Sequence, residues 1–254
     1  MSMKIIDFHL HPGYDFHGVI PPETFIDGIK KAGISHIVGC TIRKDDSYRD
    51  VAEYAEIIPK LNRESYAFYE QYPDIYTQGV QIHPSFVELS CSEIEYYHKR
   101  GARLIGELTP YLMAWREYSD KNLFEILKLA DEKNMALSIH PNKIEGDMEG
   151  LVKEFPNMNI VIAHLDGYGL FDLSIELMRK YDNLSFDISA HGIDREGMIA
   201  EAVKLVGSER ILFGTDYPGY SPYPVIDAVM KADITDADRE NIFYKNAERV
   251  LGLG

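Results

Sequence analysis

The sequence predicts an α/β fold: a single (β/α)8 TIM barrel covering residues 1–254 as one domain. Three observations carry this expectation. Eight apolar, strand-type runs alternate with helical stretches along the chain, the pattern of right-handed βαβ units around a parallel sheet. Eight such units in 254 residues match the size of a closed barrel. Neither a P-loop nor a Gly-rich dinucleotide fingerprint is present, which counts against an open doubly wound sheet, the competing architecture. No low-complexity linker divides the chain.

The first strand is Lys4–His11, K-I-I-D-F-H-L-H. Residues i and i+2 of a strand share a face, so His9 and His11 project together with Leu10 opposite. A loop rich in Gly, Tyr and Pro runs from Pro12 to Pro22, and a helix over Glu23–Ala32 is closed by Gly33. Ser35–Ile42 is a buried-type strand with Arg43 and Lys44 at its end. The chain is then mostly helical to about Tyr72, interrupted at Pro59. Ile75–His83 is the third strand and Val87–Lys99 its helix. Strands over Ala102–Leu108, Met135–His140, Asn159–His164, Leu184–Ile188 and Arg210–Asp216 follow. Helices are expected over Asn122–Lys133, Asp147–Glu154, Leu170–Lys180, Arg195–Val206, Pro222–Met230 and Asp236–Leu251.

A net charge of −15 and a pI near 5.0 argue against nucleic acid or an anionic membrane as a main partner. The two cysteines, Cys40 and Cys91, give no disulfide framework. Met1–Lys4 leads straight into the first expected strand, so no signal peptide is expected, and no apolar run approaches the ~18 residues of a membrane span. A cytoplasmic protein acting on a small molecule is expected, with a homodimer as the base-rate assembly.

In a barrel the active site lies at the carboxyl ends of the strands. There strand one offers His9 and His11, strand three His83, strand four Glu107, strand five His140, strand six His164 and strand eight Asp216. Imidazole and carboxylate recurring at one mouth point to a metal site. Without a thiolate, the donors suit Zn, Mn, Fe or Ni. A metal of this kind lowers the pKa of bound water towards ~7, and a neighbouring carboxylate or histidine can move its proton.

These strand ends, D-F-H-L-H, S-I-H-P, I-A-H-L-D-G and L-F-G-T-D-Y-P, together resemble the amidohydrolase superfamily. The likeness is greatest to the amidohydrolase-related branch that includes aminocarboxymuconate semialdehyde decarboxylase, whose closing helix resembles Lys245–Leu253. The resemblance implies a divalent metal, zinc first, held by His9, His11 and His140. It implies that Asp216 is a ligand that also handles a proton, and that His164 is the acid/base or polarises the substrate. Glu107 departs from the pattern. Many two-metal members carry a carboxylated lysine on this strand, whereas a TatD-like branch shows G-E-x-G and this chain reads G-E-L-T. A bridging Glu107 would give a second ion to His140 and His164. Otherwise Glu107 binds a single ion or anchors a histidine, and one ion is favoured.

Arg43, Arg116 and Lys143 fall in loops after strands two, four and five, where a cation can pair with a substrate carboxylate. His83 is a further candidate substrate contact. Tyr14, His17, Tyr111 and Trp115 are candidates for an aromatic pocket, and Gly167 and Gly169 make room for a ligand beside His164. Asp187 and His191 stand near the end of strand seven as supporting or substrate-contacting residues. The expected activity is metal-dependent hydrolysis of a small amide, lactone or ester. The alternatives are decarboxylation of an unsaturated carboxylic acid and a TatD-like two-metal phosphoesterase.

Overall fold

Eight strands make one parallel sheet in sequential order: β1 (Ile6–Leu10), β2 (His36–Gly39), β3 (Tyr76–Val80), β4 (Leu104–Leu108), β5 (Ala136–Ile139), β6 (Ile160–Ile162), β7 (Leu184–Asp187) and β8 (Ile211–Leu212). The computed structural model describes residues 3–13, 19–141, 147–165, 169–190 and 195–253. The ring closes between β1 and the segment after β8: Phe8 N donates to Phe213 O at 2.9 Å and His11 N to Tyr217 O at 3.0 Å. The predicted (β/α)8 barrel is the fold observed.

Helices return the chain after each strand: α1 (Pro22–Lys31), α2 (Tyr54–Gln71), α3 (Val87–His98), α4 (Lys121–Glu132), α5 (Asp147–Glu154), α6 (Phe171–Lys180), α7 (Met198–Val206) and α8 (Pro222–Lys231). Their sequences explain them. Pro22 opens α1 at a position whose N–H would have no partner, and Phe25, Ile26 and Ile29 turn one face to the sheet. Asp120 caps α4 by accepting from Asn122 N at 2.8 Å, and Leu123, Ile126, Leu127 and Ala130 bury its inner stripe. Among the described residues no helix is long and apolar enough to cross a membrane.

Two elements depart from the sequence reading. Helix α2 runs unbroken through Pro59. The proline stands in its second turn and removes one N–H, while buried Ile57, Ile58 and Leu61 hold the turns around it to the core. The expected helix Asp236–Leu251 is three pieces: α9 (Asp236–Glu240), a π-helical turn Asn241–Lys245 and α10 (Asn246–Leu251).

The core has two parts. The larger lies between sheet and helices. The smaller gathers Ile6, Phe8, Val38, Leu104, Val161 and Leu212 inside the barrel, with Ala247, Val250 and Leu251 of α10 packed on it. Ile6 and Leu104 begin their strands, so α10 plugs the amino end with apolar groups. Polar chemistry is left to the carboxyl end.

Candidate metal centre

Two strands change face on their way to the carboxyl end. On β1, Phe8 points into the barrel and Leu10 out of it, with a register shift between Asp7 and Leu10. On β4, Leu104 points in while Ile105 and Leu108 both point out, with a register shift between the last two. A bulge re-aims the side chains beyond it, and here it turns His9 and Glu107 inward. Gly106 makes the second bulge possible. Its φ is +84°, and a Cβ there would meet Leu108 N and Ser138 O at 2.4 Å.

The other members lie just past strand ends: His11 after β1, His140 after β5, His164 after β6 and Asp216 after β8. His164 and Asp216 hold left-handed φ of 59° and 62°. That conformation costs about 1–2 kcal/mol for a non-glycine residue, and such strain concentrates at functional sites. Gly214 lets the last segment pass β1, since its Cβ would fall 2.8 Å from that of His9.

Glu107 is the meeting point. Its Oε2 is 3.4 Å from Nε2 of both His9 and His11, and Asp216 Oδ1 is 3.3 Å from His11 Nε2 and 3.9 Å from His9 Nε2. Its Oε1 is 2.7 Å from His140 Nδ1 and 3.6 Å from His164 Nε2. All four histidines and Glu107 are buried.

The ring partners set the tautomers. His9 Nδ1 is 2.8 Å from Asp187 Oδ2, which can only accept. His11 Nδ1 is 2.9 Å from the Cys40 carbonyl, also an acceptor. Both rings therefore carry their proton on Nδ1 when neutral and turn a bare Nε2 to Glu107. Ser189 gives its single hydroxyl proton to Asp187 Oδ1, so its oxygen accepts from His164 Nδ1 at 2.9 Å. His164 Nε2 is then bare as well. Asp187 thus ties two imidazoles, that of His9 directly and that of His164 through a serine, and it accepts from His164 N at 3.2 Å. Behind them Asp7 accepts from His9 N at 3.2 Å and Thr215 N at 3.1 Å. Burial lifts its carboxyl to about 7 against the hydrogen bond from Thr215.

The electrostatics call for a cation. Burial opposes charging His9, yet the carboxylates of Asp187 and Glu107 outweigh it and raise its pKa well above the ordinary range. His11 is raised likewise against burial by Asp216, the Cys40 carbonyl and Glu107. Burial works against ionised Glu107, but His9 and His140 hold it well below the usual range. His164 behaves differently: burial dominates and lowers it to about 4. His9 Nε2 is buried without a hydrogen-bond partner. Donors at 2.0–2.2 Å from one tetrahedral ion stand about 3.4 Å from each other; the pairs His9–Glu107, His11–Glu107 and His11–Asp216 stand at 3.3–3.4 Å and His9–Asp216 at 3.9 Å. The donor set is that of a divalent-metal site, and among the described residues three triads, His9–His11–Glu107, Glu107–His140–His164 and His9–His164–Asp187, have their donor atoms within 4.8 Å.

A cavity of about 230 Å³ opens over this cluster. His11, Glu107, His140, His164 and Asp216 line it, as do Ile42, Tyr111 and Leu112. Lys44, Ser47, Tyr48 and Thr109 complete the lining, and sequence reasoning named none of them as site residues. Lys44 had a signal, as the neighbour of Arg43 at a strand end. Thr109 had one too, two residues beyond Glu107.

None of the three expected substrate contacts lines this cavity. His83 is fully buried, with Nε2 2.8 Å from Met113 O, Nδ1 accepting from Ser85 N at 3.1 Å, and its ring stacked on Tyr54. Arg43 is turned to Glu64, Nε to Oε2 at 2.5 Å. Trp115 is buried and lines a neighbouring cavity that shares Tyr111 and His140 and also holds Arg116. Tyr14, His17, Lys143, Gly167 and His191 lie outside the described residues.

The amidohydrolase family model matches residues 6–253. Gamma-resorcylate decarboxylase of Rhizobium sp. (strain MTP-10005) is 29% identical over 122 residues, 41% of this chain and 37% of that enzyme. The chain thus spans less than half the length of the curated relative it matches. The structure of 2,6-dihydroxybenzoate decarboxylase complexed with 2,6-dihydroxybenzoate superposes with a TM-score of 0.77 at 15% identity, covering 99% of this chain and all of that one. The dihydroxybenzoic acid decarboxylase of Polaromonas sp. JS666, bound to manganese and 2-nitroresorcinol, gives 0.75 at 14%, covering 99% and 98%. At such identities the likeness is one of fold. The expected hydrolase is corrected by the Rhizobium relative, which is a decarboxylase, and the phosphoesterase reading goes with it. The strand-end motifs fix a metal cluster common to several chemistries, while the loops over it set the reaction. With a match that runs from the start of β1 to beyond α10, the chain belongs to the amidohydrolase family.

Proposed function

We propose that the chain is a metal-dependent decarboxylase of an unsaturated or aromatic carboxylic acid. The observation that carries this reading is the sequence match to gamma-resorcylate decarboxylase. The cluster supports it, because its bare imidazole nitrogens and carboxylates converge under one cavity.

His9, His11, Glu107 and Asp216 would hold one divalent ion. The contact between His140 Nδ1 and Glu107 Oε1, 2.7 Å, is of hydrogen-bond length, too close for two donors parted by a second ion. His140 in this reading fixes the carboxylate rather than binding its own metal. Two carboxylate donors favour manganese as much as zinc, and manganese is bound in the Polaromonas enzyme. When bound, the ion supplies a Lewis-acid anchor for substrate oxygen.

The reaction R–CO₂⁻ + H⁺ → R–H + CO₂ needs one proton delivered to the carbon that loses the carboxylate. His164 is placed for that transfer. Ser189 fixes its Nδ1–H, its Nε2 faces the cluster and its ring lines the cavity. Burial keeps it neutral near pH 7, so it can accept a proton from an acidic substrate hydroxyl and, once charged, is a strong donor to carbon. Asp216 stays ionised because His11 outweighs its burial, and its charge stabilises the imidazolium across the cavity.

The test is product analysis with carboxyl-labelled acids. Manganese-loaded protein is incubated with 2,6-dihydroxybenzoate and a set of hydroxybenzoates and unsaturated acids. Labelled CO₂ with the matching R–H product is expected from at least one, and not after chelation. No CO₂ from any acid overturns the reading.

A further inference from the structure

The cavity carries polar groups that the proton transfer does not use. Lys44 is exposed at the start of a short 3-10 turn, Lys44–Asp46. It makes no ion pair among the described residues, although the chain has 41 acidic residues against 26 basic ones. Among the described residues it is the only lysine or arginine on this cavity. Thr109 is the opposite in burial. It is 2% exposed, lines the same cavity, and its Oγ1 has no hydrogen-bond partner. A buried hydroxyl in that state destabilises the fold unless a group from outside the chain satisfies it. Ser47 is not free in this way, since its hydroxyl donates to the Arg43 carbonyl at 3.0 Å.

We propose that Lys44 and Thr109 form an anion subsite that receives a second acidic oxygen group of the substrate, so that the acid bound here is a dianion of dicarboxylate type. This rests on the decarboxylase reading of the cavity. The reacting carboxylate belongs to the metal cluster, where the cationic ion and the proton donor are. An unpaired ammonium in the same cavity gives a second cationic position, and a monoanion leaves one of the two unmatched. The cavity, about 230 Å³, is roughly eight water volumes, room for one ring with two short substituents. Ile42 and Leu112 supply apolar walls for such a ring. Lysine contributes as a point charge on a flexible stem, so it selects charge more than shape. The hydroxyl of Thr109 sets where the acceptor oxygen sits.

The test is equilibrium binding by titration calorimetry to the manganese-loaded protein, with isophthalate and benzoate as probes. The wild type is expected to bind isophthalate about tenfold more tightly than benzoate, with the preference shrinking as salt rises. Lys44→Met is expected to abolish the preference while leaving benzoate within about twofold. Thr109→Val is expected to weaken isophthalate about threefold or more, without lowering the melting temperature, because it removes an unsatisfied buried group. Equal binding of the two acids by the wild type, or an unchanged preference in Lys44→Met, overturns the subsite. If the preference behaves as expected while no acid releases CO₂, the subsite stands and the decarboxylase reading falls. If CO₂ is released but Lys44→Met changes nothing, the subsite falls alone.

Discussion

The two halves of the polar cluster use the same residue type to opposite ends. On the β1 side, His9 and His11 are each backed by an acceptor on Nδ1 and face carboxylates on Nε2. Their surroundings pull in positive charge. On the β6 side, His164 is backed by a hydroxyl, and burial drives its charge out. The rings of His9 and His164 are only 5.0 Å apart. What separates them is the group behind each ring: Asp187 reaches the His9 ring as a carboxylate and the His164 ring through Ser189. One aspartate thereby supports a charge-binding imidazole and a neutral one side by side.

Glu107 joins the halves, so its removal is the strongest way to break the comparison. Glu107→Ala is expected to lose bound metal by plasma mass spectrometry and to reduce CO₂ release by at least about 10³-fold. Both halves should fail together. Retained metal with retained turnover would mean that the carboxylate is not shared.

His164→Asn separates them. Metal content is expected to stay at one ion per chain while kcat falls about 10²- to 10⁴-fold, the usual worth of a positioned acid/base. His11→Ala should show the reverse order of events, with metal lost first. If His164→Asn loses metal as readily as His11→Ala, the division of labour is wrong and the cluster is one coordination sphere.

Asp187→Asn sharpens the comparison at smaller cost. The amide keeps the shape but weakens the hold on His9 Nδ1–H and on Ser189. Supporting partners of this kind contribute about 10- to 100-fold to metal affinity. The measurement is competition against a chelator of known strength, and an unchanged affinity would remove Asp187 from the account.

The sequence showed the barrel clearly because eight alternating units leave few ways to fold. It also showed the cluster, since His9, His11, Glu107, His140, His164 and Asp216 all lie at or just past strand ends. It did not show how His9 and Glu107 come to face inward. That depends on bulges in β1 and β4, and a one-residue change of parity is invisible to a count of i and i+2. His83 misled because a histidine ending a strand looks the same whether it faces the cavity or, as here, donates to Met113 O. Arg43 and Lys44 are adjacent cations, and only the position of Glu64 decides which is taken up by a neighbour and which lines the cavity. Ser189, which sets the tautomer of His164, carries no motif at all. The reaction was least legible, because the metal motifs are shared across chemistries and the sequence reading took hydrolysis first.

The smallest effect, and the most direct readout of the contrast, is the pH dependence of stability in the metal-free protein. His164 titrates near 4 when folded and near 6.5 when unfolded. Between those values the unfolded chain binds a proton that the folded chain refuses, so this group costs stability as pH falls from 6.5 towards 4. His9 has the opposite sign. Its raised folded pKa gives stability that is complete below 6.5 and is lost as pH rises through the raised value. Replacing His164 by Gln should therefore remove an acid-side loss. Relative to wild type, the variant is expected to gain about 2 kcal/mol in urea unfolding on going from pH 8 to pH 5, in chelator throughout. His9→Gln should not gain over that interval, because the group it removes favours the folded state in acid. Parallel curves for the two variants would show that the groups behind the two rings do not distinguish them, and the neutral role given to His164 would have to be abandoned.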